Sequence, residues 1–185
     1  HVFIDKVLKQ SGIAKKDLSA IAVGKGPGSY TGLRIGVSAA KGMAYALSIP
    51  LISVNTLYNM SVKAKELTKE SDVVFCPMLD ARRMEVYTAM YDGNDLKEVQ
   101  ATHSLVFDES TVMKFDANKH LVFFGDGMQK CKEYLSGLKN ASFMENIFPS
   151  ALNMKDYVLK AFNDKRFEDV AYFEPFYLKE FFTGK

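Results

Sequence analysis

Apolar residues follow two different rhythms along this chain, and the change between them divides it. Over residues 2–10, Phe3, Ile4, Val7 and Leu8 recur on one helical face, and Ser11-Gly12 supplies a stop. Ala20 to Gly24 is a short apolar run of strand type. The Gly-rich residues 25–32 that follow must form a loop. A helix is expected from about Thr31 to Leu47, closed by Pro50, and Leu51 to Val54 is a second short strand. Asn55 or Thr56 caps a further helix with Leu57, Met60, Ala64 and Leu67 on its apolar face. This strand–loop–helix–strand–helix order predicts parallel strands joined by crossover helices.

The polar stretch Lys65 to Asp72 marks the expected boundary between a first lobe, residues 1–70, and a second, residues 71–185. Beyond it Val73 to Leu79 reads as a strand and Met84 to Tyr91 alternates as another. Asp92-Gly93-Asn94-Asp95 is a hairpin signal, with Leu96 to His103 as the third strand. A short helix follows near Asp108 to Lys114. Leu121 to Phe124 is a further strand, which Gly125-Asp126-Gly127 turns into a helix over Met128 to Leu135. Ala151 to Phe162 is the last helical pattern, and the aromatic tail Ala171 to Phe182 is expected to pack back onto the body.

Composition narrows the function classes. With 185 residues, 48% of them apolar, the chain can build one large core or two small ones. The net charge of +2 comes from scattered basic residues, which is not the footprint of a protein that grips nucleic acid alone. No apolar run reaches the length of a membrane span, and no signal peptide opens the chain. Cys76 and Cys131 are isolated and read as free thiols, so a cytoplasmic location is expected. His1 is not a Met, and the chain begins inside a helical pattern, so a segment upstream is expected to be missing.

The strongest local signal runs from Gly24 to Arg34. Glycines and a proline between strand and helix free the backbone for an unusual path. Gly26, Pro27, Gly28, Ser29, Thr31 and Arg34 are candidates for an anion cradle at a helix N-terminus. The alternative is a tight turn with Ser29 or Thr31 as N-cap. The loop is not a Walker A motif. Gly32, Gly36, Ala40 and Ala44 recur every four residues, a stripe over which another backbone could approach closely, either the chain's own sheet or a partner's helix. With Phe3, Ile4, Val7 and Leu8 they outline a two-helix platform that a similar pair would complete as a four-helix bundle. Asp80, Arg82 and Arg83 stand between two strands, either as local ion pairs or facing a partner carboxylate or RNA phosphate. Asp126, between two glycines, reads as a helix cap. His1, His103 and His120 lack metal-ligand spacing, and no GxSxG elbow is present.

Gly26 to Gly36 closely resembles the signature of the bacterial TsaB (YeaZ-type) family, and Asp80 to Tyr87 resembles its second block. Gly125-Asp126-Gly127 and Glu174 to Lys179 match its later landmarks in order. The resemblance implies an α/β, actin/Hsp70/sugar-kinase-like (ribonuclease H-like) fold of two lobes. It implies a non-catalytic scaffold that binds the catalytic paralogue TsaD and works with a TsaE-type ATPase. That assembly forms threonylcarbamoyladenosine in tRNA next to the anticodon. It implies no cofactor or metal in this chain, ATP and metal in the partner subunits, contact with tRNA only through the complex, no membrane, and a possible homodimer in isolation. Family members open with a β-hairpin that this sequence lacks, so the first lobe is expected to be incomplete, with an open strand edge. The alternatives are a nucleotide-dependent phosphotransferase of the same superfold and a glycoprotease-like hydrolase.

Overall fold

The computed structural model describes residues 2–70, 72–115 and 118–179; His1 and residues 180–182 of the aromatic tail lie outside that set. The first helix, α1, spans Val2–Ser11. Strand β1, Ile21–Gly26, leads through the glycine loop into α2, Tyr30–Leu47. Strand β2, Leu51–Asn55, runs straight into α3, Thr56–Leu67. Asn55 is the N-cap of α3, its side-chain oxygen accepting from the Leu57 and Tyr58 amides at 2.8 and 3.3 Å.

β1 and β2 pair in parallel, Ile21 opposite Leu51, with a register slip between Gly24 and Gly26. They form a two-stranded sheet, and among the described residues no strand lies on the outer edge of β1. β1 ends two residues beyond the expected run, because Gly26 still pairs, opposite Asn55, after Lys25 is passed over at the slip. Leu51, Ile52, Ser53 and Val54 of β2 are all buried. A strand buried on both faces needs cover on each. Ala40 and Ala44 of α2 meet Leu51, and α5, Lys155–Asn163, packs against β2 as well.

The larger sheet holds β3 (Val73–Asp80), β4 (Glu85–Asp92), β5 (Glu98–Val106), β6 (His120–Phe124) and β7 (Ala141–Met144) in the order β5-β4-β3-β6-β7. β3 to β5 run antiparallel, and β6 and β7 join in parallel. Side chains of β3 alternate between two cores. Phe75 and Leu79 face Leu57, Met60 and Ala64 of α3. Cys76 and Met78 face Met128, Cys131 and Leu135 of α4, Met128–Leu135. Each buried Phe or Leu contributes about 1.5–3 kcal/mol. α3 therefore belongs to both lobes: it continues β2 and covers the second sheet.

Residues 71–185 are not all second lobe, because the chain returns after β7. Leu51 bridges Glu168, and Val170 and Phe173 complete the core around Ala40, Ala44 and Leu51. These residues sit in a polar, aromatic stretch with no compositional break, so nothing local announces the return. The expected helix 151–162 divides into a 3-10 turn, Ala151–Met154, and α5, because Ser150 caps the turn at the Leu152 amide. Residues 108–114 give only a 3-10 turn, Thr111–Lys114, and β7 carries no strong strand pattern.

Candidate functional site

α2 has two unlike sides. Val37, Ala40 and Ala44 are buried, and the two alanines pack on Leu51, Ile21, Val23, Val170 and Phe173 of their own lobe. Gly32 and Gly36 are exposed, with Ile35 at 68% and Tyr45 at 82%. The expected small-residue stripe is thus split. Each step of four residues overshoots a full turn by about 40°, so Gly32 and Ala44 stand about 120° apart. Ala40 and Ala44 belong to the core, which corrects their assignment to a partner surface.

α1 has no buried residue. Phe3 and Val7 are exposed, while Ile4 and Leu8 are half-buried. Between the two helices lies a groove of about 630 Å³ lined by Ile4, Asp5, Ile35, Ala39 and Met43 among others. Lys15 at its rim pairs with Asp5 at 3.0 Å and holds that carboxyl below its usual range.

At the head of α2, Ser29 is the N-cap: its hydroxyl accepts from the Gly32 amide at 3.3 Å. The turn reading of the loop therefore accounts for Ser29. Gly26 sits at φ +110°, and a Cβ there would lie 2.9 Å from the Phe176 carbonyl. Gly28 is open. The tail crosses directly over this loop. Lys41 donates to the Ala171 and Phe173 carbonyls at 3.2 and 2.8 Å. The Phe176 amide donates to Lys25 at 2.7 Å, and Tyr177 stacks on Tyr30 at 4.9 Å. Arg34 lies over the other side of the loop region, 5.7 Å from the Tyr30 ring centre.

The tail then reaches the second lobe, where Lys179 pairs with Glu85 and lies over Tyr87. Glu85 opens β4 after a three-residue turn, Arg82-Arg83-Met84. Arg82 and Arg83 are both left-handed, at φ +68° and +49°, a conformation costing about 1–2 kcal/mol per residue. The turn is pinned on two sides. Asp80 accepts from the Arg82 amide at 2.8 Å. Lys130 of α4 binds Asp80 and donates to the Arg83 and Glu85 carbonyls at 2.7 and 2.6 Å. Lys130 also holds the Asp80 carboxyl below its ordinary value. The ion pairs expected within this block form instead with lysines from elsewhere. Asp126 does not cap α4: its carboxylate accepts from the Asp80 amide at 2.9 Å, and the cap position is Gly127. Sequence spacing could not reveal Lys130 or Lys179, because each reaches Asp80 or Glu85 from a distant part of the chain.

A family model described as "TsaD: tRNA N6-adenosine threonylcarbamoyltransferase" matches residues 1–173. The tRNA threonylcarbamoyladenosine biosynthesis protein TsaB of Escherichia coli (strain K12) is 30% identical over 95% of this chain and 77% of its own length. The chain belongs to the TsaB family. The TsaB protein of Bacillus subtilis (strain 168) is 34% identical over 66% of the chain, and the match spans only 52% of that relative. A solved Pseudomonas aeruginosa protein, described as having similarity to peptidase YEAZ, superposes with a TM-score of 0.78 at 24% identity. It covers 95% of this chain and 81% of its own. The two-lobed α/β fold expected from the TsaB resemblance is therefore the fold observed.

All four TsaB landmarks meet in space. The tail block touches the glycine block through Phe176 and Tyr177, and the second block through Lys179. Asp126 joins the third landmark to Asp80. Gly125 is tied to this junction by its backbone: at φ +101° a Cβ would fall 2.2 Å from the Met78 carbonyl.

Other candidate groups in the chain have structural partners. His103 bonds the Ala101 carbonyl at 2.8 Å, and His120 bonds Ser142 at 3.0 Å and Glu70 at 2.8 Å. Burial pushes the Cys131 thiol up to about 11 and raises Cys76 further. Among the described residues, no group of three or more His, Cys, Asp or Glu is placed to hold a metal ion, and no helix is long and apolar enough to cross a membrane.

Proposed function

We propose that this chain is a TsaB-type subunit that acts without chemistry of its own, holding a TsaD-type paralogue in its working form during threonylcarbamoyl transfer to tRNA. The observation that carries the reading is the uncovered face of α1 and α2. A helix with no buried residue lies against one with exposed Ile35, Gly36 and Tyr45, and a groove of about 630 Å³ runs between them. Contiguous exposed apolar surface marks an interaction site, and two paired helices offer half of a four-helix bundle. A paralogue of the same fold carries a comparable pair, so like meets like. Self-complementarity of the same kind would support a homodimer of the isolated chain. The working assembly also takes in a TsaE-type ATPase, with ATP and metal bound by the partner subunits, in the cytoplasm.

The absence of chemistry is supported by the commitments of the candidate groups. Ser29 caps α2, Asp126 holds Asp80, and the thiols are buried. The test is titration calorimetry of the chain with its TsaD-type paralogue, using wild type and Val7→Glu/Ile35→Glu. We expect a stable complex with the wild type and about a hundredfold weaker binding with the charged pair, which places two charges in an apolar contact. Equal affinity for both proteins would refute the reading.

A further inference from the structure

The turn between β3 and β4 has a purpose that its own lobe does not supply. Its backbone is fixed from below. Asp80 takes the Arg82 amide, Asp126 takes the Asp80 amide, and Lys130 takes the Arg83 and Glu85 carbonyls. The nearby acids are also engaged by lysines, Asp80 by Lys130 and Glu85 by Lys179. What remains above this base is a pair of adjacent, exposed guanidinium groups. Among the described residues neither has a carboxylate within ion-pair distance. Both stand on backbone in the left-handed region, and both are exposed.

From this geometry we infer that Arg82 and Arg83 form a preorganised clamp for the phosphate backbone of RNA. The inference rests on the subunit role argued above. A guanidinium matches phosphate with two parallel hydrogen bonds, and a fixed backbone reduces the ordering cost of making them. A protein carboxylate is the competing ligand. Protein interfaces bury an apolar core, and here the exposed large apolar neighbour is Val106, opposite Glu85. The extended apolar surface is on α1 and α2. A solvated cationic tip with little apolar surround suits a polyanion, and backbone contacts of this kind position RNA without reading its bases. The modest charge of +2 is then no obstacle, because one fixed pair serves as a local contact within a larger assembly.

The test uses the complex with the TsaD-type paralogue and labelled tRNA, read by fluorescence anisotropy from roughly 50 to 250 mM salt. Arg82→Asn/Arg83→Asn removes both charges while keeping a residue that tolerates the left-handed backbone. Arg82→Lys/Arg83→Lys keeps the charge and loses the fork. We expect the Asn pair to weaken tRNA binding about tenfold and to lower the salt slope by about 1–2, each phosphate contact contributing about 0.7–0.9. The Lys pair should keep the slope and lose part of the affinity. Assembly with the paralogue should be unchanged in both. Unaltered affinity and slope for the Asn pair would overturn the inference. Lost assembly with unaltered tRNA affinity would also overturn it, in favour of a protein carboxylate. If the wild-type chain does not bind the paralogue, the subunit role fails instead, and tRNA binding by the chain alone then decides the clamp by the same change in affinity and slope.

Discussion

Two of the exposed glycines on α2 give a prediction in which stability and binding move in opposite directions. Gly36 and Gly42 lie inside an 18-residue helix, and a Cβ added to either meets nothing within 4 Å. Within the lone subunit each glycine is only a cost, about 0.5–1 kcal/mol relative to alanine. Gly36→Ala/Gly42→Ala should therefore stabilise the isolated chain by about 1–2 kcal/mol. For a domain of this size that raises Tm by about 2–8 °C. Gly36 and Gly42 stand about 120° apart and flank the exposed side of α2, so a partner helix packed there is obstructed by one methyl group or the other. Overpacking of a close contact costs about 1–3 kcal/mol, or about 5- to 150-fold in Kd. Calorimetric melting of the chain and titration with the TsaD-type paralogue measure the two quantities on one variant. Ala44 is the internal control: it is 1% exposed against its own sheet, so Ala44→Phe should lower Tm whether or not a partner is present. A fall in Tm for the glycine variant would show that this face is already packed. A rise in Tm with unchanged affinity would show that the partner does not touch it.

Gly125→Ala should be among the most damaging single-methyl changes in the chain. It combines a φ of +101° with a contact of 2.2 Å to the Met78 carbonyl and 2.7 Å to the Met60 side chain. We expect a loss of about 2–5 kcal/mol in a urea melt, and a melt within about 0.5 kcal/mol of wild type would refute it. Lys130→Met removes the pin from the Arg82-Arg83 turn, at a cost of about 1–2 kcal/mol near neutral pH after allowing for solvent screening. Lys130 lowers the Asp80 carboxyl from its ordinary 3.8. A lowered carboxyl stabilises the fold above its unfolded value, and that contribution disappears as pH falls through the folded value. The gap between wild type and Lys130→Met should thus be full at pH 5–7 and narrow below about pH 4, and a gap that widens on acidification would contradict the pairing.

What could be read from the sequence follows the range of the forces involved. α2, α3, β3 and α4 were legible because their apolar residues recur at a fixed period and their ends carry local signals: Ser29, Asn55, Gly125. The glycine loop and the turn after β6 were legible because Gly26 and Gly125 stand at positive φ with backbone atoms where a Cβ would lie. The pairing of Lys130 with Asp80 was hidden, since the two stand 50 positions apart and the residues between carry no trace of it. So was the return of Glu168, Val170 and Phe173 to the first lobe, where ordinary polar sequence is placed by contacts made elsewhere. The small-residue stripe divides for a geometric reason. An interval of four is close to the helical repeat but not equal to it, so Gly32 and Gly36 remain outside while Ala40 and Ala44 turn into the core.

The closing of the first lobe by residues 168–177 also sets a timetable. Leu51, Ala40 and Ala44 leave the ribosome more than a hundred residues before Val170 and Phe173, the side chains that complete their core. Domains generally consolidate during synthesis in the order in which they emerge. Here the order is inverted. The strands from Val73 to Met144 can assemble around α3 and α4 while the earlier segment still waits for its cover. In the nascent chain, the edge of β2 and the alanine side of α2 remain unsealed until the tail arrives. A nascent chain that has emerged from the ribosome only as far as residue 150 would therefore hold the strands of the larger sheet complete beside an open first lobe, with Leu51 still waiting for Val170 and Phe173.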